Sequence, residues 1–323
     1  MIGGMLPVLL ICTICALLPT ASGSSQVSAP GASSSRTASS PATAITHDKE
    51  FWRAIVKADY AVPPNEQVMP LARELSAMLG SPDPELRDEF GYSILAAWIF
   101  QKPVIEPAPL RELIAEWTKN LDTGIGSTDT DAVFRRSFSA LMLSVAVARD
   151  NAAPYLEAAE VKALLAATLA YLAREQDVRG YDAAKGWMHS AAHTADLVKF
   201  LARSRHLPAD AQREILDAIG DKMRNAPVVY TFGEDQRFAR AVLSIVNRAD
   251  FDREVFDAWV GRVMPVWPKT PRPDAAVVRV NQNLTNLLAK LHVVLSSQPP
   301  QQPPGDGLRA AQERVAAAAK TLF

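Results

Sequence analysis

From His47 to about Ser296 apolar residues return at three- and four-residue intervals in nearly every segment, whereas alternating strand-like runs and Asn-Gly hairpin turns are scarce. That period predicts an all-α fold. The pattern is interrupted at Pro63-Pro64, 80–84, 103–109, 124–128, 151–154, 180–186, Leu207-Pro208 and 265–273, where Gly and Pro cluster. These breaks delimit roughly ten to twelve helices of ordinary length with short links, and so predict stacked helical hairpins.

The pattern also marks the ends of the folded part. Residues 5–18 are an uncharged apolar run, followed by Pro19 and the small residues of 20–23. The run is too short and too Pro-broken for a membrane span, and 1–23 reads as a signal peptide. Residues 24–46 turn to Ser, Ala, Thr and Pro with Arg36 as the single charge, a disordered linker by composition. The helical domain is expected over 47–296. A Pro/Gln spacer and an Ala-rich C-terminal helix occupy 297–323. The expected destination is the bacterial periplasm or the medium, with no stable membrane anchor after cleavage.

Both cysteines, Cys12 and Cys15, fall inside the leader, so the mature chain has no thiol or disulfide chemistry. Its stability must come from an apolar core, for which 48% hydrophobic residues in 323 provide the material. With 34 basic and 35 acidic residues interspersed along the chain, there is no electrostatic case for nucleic acid.

Met69 to Leu95 resembles a HEAT repeat: a Leu-rich first helix, the turn Ser81-Pro-Asp-Pro84, then Leu86-Arg87 opening the second helix. Ser81 or Asp83 is placed to cap that second helix, and Pro84 suits its first turn. The pair implies a HEAT-like α-α superhelix with a concave face, although it is the one clear copy in the chain.

The densest polar cluster lies in 175–196. Two of the five histidines stand here beside Glu175, Asp177, Arg179 and Trp187. On a continuous helix at about 100° per residue, His189, His193 and Asp196 share one stripe, opposite Trp187, Ala191 and Val198. These three are the candidate catalytic residues and the candidate ligands for a zinc-like metal, the two histidines being completed with water by Asp196 or else by Glu175 and Asp177. There is no His-Glu-x-x-His arrangement, and His and Asp one turn apart also form ordinary structural hydrogen bonds. Arg136, Arg179 and Arg237, with Glu175, Asp177, Trp187 and Glu234, are the candidate ligand-binding set, three guanidiniums converging on an anionic group; the alternative is ordinary local pairing, since Arg87, Arg179 and Arg237 each have acids within two or three residues. Trp52, Trp98 and Trp117 follow core spacing, while Trp267 sits on a Pro-rich loop. Asn283-Leu-Thr285 matches a glycosylation triplet within a helical pattern.

Residues 87–92, 134–141, 175–181, 186–196, 233–237 and 281–286 together resemble the bacterial domain-of-unknown-function family numbered 2785, over about Phe51 to Leu295. The resemblance implies a helical domain and supplies no activity. The expected function is therefore an exported module that binds a small-molecule or protein ligand in a concave groove and requires no cofactor. The alternatives are a hydrolase or lyase with His189 or His193 as base, and a structural envelope protein.

Overall fold

A computed structural model describes residues 45–298 and 306–322. The segment read as a signal peptide, 1–23, nearly all of the expected linker, 24–46, and most of the expected spacer lie outside the described residues. The fold is all-α, as the periodicity predicts: apart from a hairpin of two-residue strands, Tyr181–Asp182 and Gly186–Trp187, every regular element described is a helix. The chain runs through α1 (Lys49–Lys57), α2 (Val68–Met78), α3 (Ser93–Ala96), α4 (Pro107–Asn120), α5 (Ala132–Ala152), α6 (Ala158–Arg174), α7 (Ser190–Leu201), α8 (Ala211–Asn225), α9 (Glu234–Val246), α10 (Arg253–Arg262), α11 (Ala275–Ser296) and α12 (Asp306–Ala319).

The segment that resembles a HEAT repeat pairs α2 with a helix that starts in a wider winding. Glu85–Tyr92 and Ala97–Gln101 are π-helical on either side of α3. Asp83 does the capping, accepting from the Glu85 N–H at 2.9 Å, and Ser81 Oγ accepts from the Asp83 N–H at 3.1 Å. Gly91 allows close approach of the two helices, since the Leu75 carbonyl oxygen lies 3.1 Å from where a Cβ would stand.

From α5 onward the helices form two layers. α5 packs on α7, α7 on α9 and α9 on α11, while α6 packs on α8, α8 on α10 and α10 on α12. Within the first layer the helices are parallel. Ser137 meets His193 near the N-termini of α5 and α7, and Asn151 donates to the Phe200 carbonyl near their C-termini. Likewise His189 meets Phe232 just ahead of α7 and α9, and Arg203 meets Ser244 at their far ends. The return helices α6 and α8, which pack on one another, make this possible.

Trp52, Trp98 and Trp117 are buried in the core as their spacing predicts, joined by Trp259. The helix α7 departs from the expectation. Residues Ser190 to Val198 are buried all round, which marks α7 as a core helix without a solvated face. Nor does it include Trp187 or His189. Trp187 belongs to the hairpin, and His189 precedes the helix in the left-handed region at φ 50°. The single stripe inferred from continuous helical spacing is thus broken by a turn. Trp267 is 48% exposed, and Asn281 ties its loop down, accepting from the Val266 N–H at 3.0 Å and donating to the Val266 carbonyl at 2.9 Å. Asn283, in the glycosylation triplet, is fully buried and clamps the chain ahead of α9 through Tyr230 N–H and the Met223 and Val228 carbonyls.

Candidate functional site

Parallel helices gather their N-termini at one edge, where unsatisfied N–H groups carry partial positive charge. The chain places carboxylates at that edge and buries them: Glu175 and Asp177 after α6, and Glu234 and Asp235 in the first turn of α9. Glu175 forms a two-pronged pair with fully buried Arg136, Oε2 to Nε at 2.6 Å and Oε1 to Nη2 at 3.0 Å. The remaining Arg136 hydrogens go to the Thr123, Gly124 and Ser127 carbonyls. Burial disfavours the Arg136 charge, but Glu175 more than offsets this and its pKa is raised. Lys222 donates to the Glu175 carbonyl at 2.7 Å, and burial pushes its ammonium down to about 8. Asp177 accepts from Arg179 at 2.6 and 2.8 Å and from the Asp129 N–H at 3.1 Å. Glu234 accepts from the Phe232 N–H, and burial raises its pKa.

The three arginines therefore do not converge. Arg136 faces Glu175, Arg179 faces Asp177, and Arg237 donates to Asp196, whose other oxygen is 2.8 Å from Lys199 Nζ. A shared anion clamp would require each to abandon a carboxylate, several of them buried.

The histidines belong to a chain of rings that runs inward from the surface. Tyr181 packs edge-on to Trp187 at 4.9 Å, Trp187 stacks on His189 at 4.3 Å, His189 meets His193 at 5.7 Å, and His193 meets Phe138 at 4.9 Å. Beyond Phe138, the buried Arg87 guanidinium lies 4.9 Å from that ring and 4.1 Å from Phe134. His189 Nε2 stands 3.0 Å from the Phe232 carbonyl, which only accepts, so that nitrogen carries the proton. Ser137 gives its hydroxyl hydrogen to the Met188 carbonyl, so His193 Nδ1, 2.8 Å from Ser137 Oγ, is the donor in that bond. Both rings are neutral. Burial, reinforced by Arg237, pushes His189 down to about 4, and burial holds His193 far below the usual imidazole range. Among the described residues no group of three or more His, Cys, Asp or Glu is placed to hold a metal ion. Asp196 is occupied by its two cations.

In front of the acidic edge lies a depression of about 450 Å³ between the extended segments 176–180 and 227–232, closed by Thr128, Asp129 and Glu234. The segments touch at Gly180, where a Cβ would fall 2.1 Å from the Phe232 ring, so the contact needs glycine. Asp177, Arg179 and Glu234 of the candidate set line this depression. Glu175 and Arg136 support it through Asp177, whose N–H Glu175 accepts at 2.9 Å. Trp187 and His189 border it through Phe232, while His193 and the Asp196–Arg237 pair are not among its lining residues.

The family described as "Protein of unknown function (DUF2785)" matches residues 121–293. The chain belongs to this DUF2785 family. The match is narrower than the span over which the resemblance was drawn. It takes in the first layer from α5 to nearly the end of α11 and both segments of the depression, and it leaves out residues 69–95, Arg87 to Tyr92 among them. Comparison with curated proteins and with solved structures gives no match for this DUF2785 member.

Several residues of the DUF2785 site escaped sequence reasoning. Phe232 is 45% exposed and Tyr181 51%, forming an aromatic edge, and Val228 beside them is also exposed. The signal available for the second wall was Pro227-Val-Val-Tyr-Thr-Phe-Gly233, a β-branched and aromatic run between two helices. Ser137, which fixes the His193 tautomer, lies inside a core stripe and gave no signal.

Proposed function

We propose that this protein is a binding module whose ligand occupies the depression between residues 176–180 and 227–232. The observation that carries this reading is the state of the two walls. Among the described residues, the N–H groups of Val178, Val229 and Thr231 have no hydrogen-bond partner, beside an exposed Phe232 and Tyr181. Irregular backbone held in place from beneath by a buried ion pair is a preorganised surface, and preorganisation lowers the entropic cost of binding. The matching ligand has hydrogen-bond acceptors spaced along an extended length and one apolar face, a small molecule or a protein segment.

General-base catalysis has less support, because a base works best with a pKa near the operating pH and burial holds both histidines well below it. We further propose export, on the strength of the apolar run at 5–18 and the small residues after it. Sequencing the N-terminus of protein recovered from a bacterial envelope tests this: a start near Ser22 or Ser24 is expected, and an intact Met1 in the cytosol would refute it.

The binding test is a thermal-shift screen of amino acids, sugars and short peptides against wild type and Gly180→Val, whose side chain displaces Phe232. Ligands of the site raise the melting temperature of the wild type alone. Hits that stabilise both proteins equally would refute the site, and turnover of a hit that His193→Asn abolishes while binding persists would restore the enzyme reading.

A further inference from the structure

Parallel packing also gathers C-termini, and the opposite edge of the layer carries arginines. Arg248 donates to the Ala202, Ser204 and Leu207 carbonyls past the end of α7, and Arg205 to the Asp150 and Leu156 carbonyls near the end of α5. Capping these carbonyls offsets the partial negative charge of the helix ends. Each of the two also has a carboxylate, Asp250 at 2.7 Å for Arg248 and Asp150 at 3.0 Å for Arg205.

A third arginine in the same place is surplus to this scheme. Arg203 spends only Nε, on Ser244 Oγ at 2.9 Å, and holds its guanidinium 5.3 Å from the Phe200 ring centroid. Among the described residues its Nη1 and Nη2 have no hydrogen-bond partner, and no carboxylate lies within ion-pair distance. It lines a depression of about 500 Å³ with Arg205, Ser244, Asn247, Arg248 and Asp250. The charged acceptor there is already paired, both Asp250 oxygens facing Arg248, and Ser244 Oγ accepts from Arg203 while donating to the Arg240 carbonyl. What remains is rich in donors: the forked end of Arg203, the Arg205 Nε–H and the NH2 of the unpartnered Asn247 amide.

We propose that this depression is an oxyanion site, in which the two Nη groups of Arg203 take two oxygens of a phosphate or carboxylate and Asn247 takes a third contact. This donor-rich set, around a guanidinium with no ion-pair partner among the described residues, fits an anion better than a cation. Two side chains hold the wall rigid, since Arg248 and Arg205 are tied to backbone carbonyls on both sides of it. The proposal is independent of the ligand reading of the acidic edge.

The test titrates the full chain with sodium phosphate and, separately, sodium citrate at an ionic strength held constant with sodium chloride. Melting temperature is followed in both arms, and phosphorus NMR line width in the phosphate arm. The expected result is saturable stabilisation. Arg203→Gln, an exposed substitution that the fold tolerates, should weaken binding by roughly 10- to 100-fold, and Arg203→Lys by an intermediate factor, through loss of charge-assisted bonds. The arm with the tighter binding identifies phosphate or carboxylate as the recognised group. Stabilisation that follows ionic strength alone, or an Arg203→Gln variant that binds as tightly as wild type, would overturn the proposal.

Discussion

Glu175→Ala should be among the most damaging single substitutions in this chain, because it strands two different groups. Its carboxylate makes the 2.6 and 3.0 Å bonds to Arg136 and the 2.9 Å bond from the Asp177 N–H. With it gone, a guanidinium of zero exposure keeps only carbonyl partners. Removing one member of a buried ion pair costs about 3–5 kcal/mol. The stranded Asp177 N–H adds about 1–3 kcal/mol. Against a total stability of roughly 5–15 kcal/mol, the variant stands close to the folding threshold. Urea unfolding followed by far-UV circular dichroism measures the loss. Should the alanine variant not fold, Glu175→Gln keeps the shape and one acceptor and should show a smaller but clear drop. The pair is costly to break and not intrinsically stabilising, so Arg136→Met with Glu175→Met should recover much of what either single change loses. A loss below about 1 kcal/mol for Glu175→Ala, or a double variant as unstable as the sum of the singles, would refute this reasoning.

Other outcomes follow from the same geometry. His189 has a folded pKa of about 4, below its unfolded value of about 6.5, so its contribution is present above 6.5 and is lost as pH falls through that window, by roughly 3 kcal/mol. Asp88 works oppositely: burial raises its folded pKa to about 6, so its contribution is full at low pH and declines as pH rises from about 4 to 6. Urea midpoints between pH 4 and 7 for wild type, His189→Gln and Asp88→Asn separate the two, and a His189→Gln profile parallel to wild type would contradict the first assignment. Imidazole proton NMR should find His193 neutral throughout that range, and a midpoint near 6.5 would place its ring in water. Ser137→Ala removes the acceptor that holds the His193 Nδ1 proton and should cost about 1–3 kcal/mol by thermal melting.

The fold was legible because helical periodicity and Gly/Pro breaks are local signals: the breaks at 80–84 and 265–273 fall between observed helices, and the one at 103–109 leads into α4, whose first turn takes Pro107. The site was legible only in part. Glu175, Asp177 and Arg179 stood out as part of a dense polar cluster, Glu234 as an acid close to Arg237, and the three acids with Arg179 do share one edge. Their pairing did not, since Arg136 reaches Glu175 across 39 positions and spacing within a helix says nothing about such a contact. The stripe of His189, His193 and Asp196 failed for a local reason: the αL residue at His189 ends the extended chain and starts α7, so an angle counted across it has no meaning. Arg203 gave no signal at all, because a surplus charge is recognised only after every other charge has been paired.

A ladder of parallel helices has no natural end: whichever rung comes last offers its next neighbour an unfinished apolar flank. Here α12 occupies that place, burying Leu308, Ala311 and Val315 while contacting α9, α10 and α11. It adds nothing to either depression. Its part is closer to that of a bookend, covering the flank of the last rung described, and it explains why an Ala-rich segment beyond a Pro/Gln spacer packs with the domain.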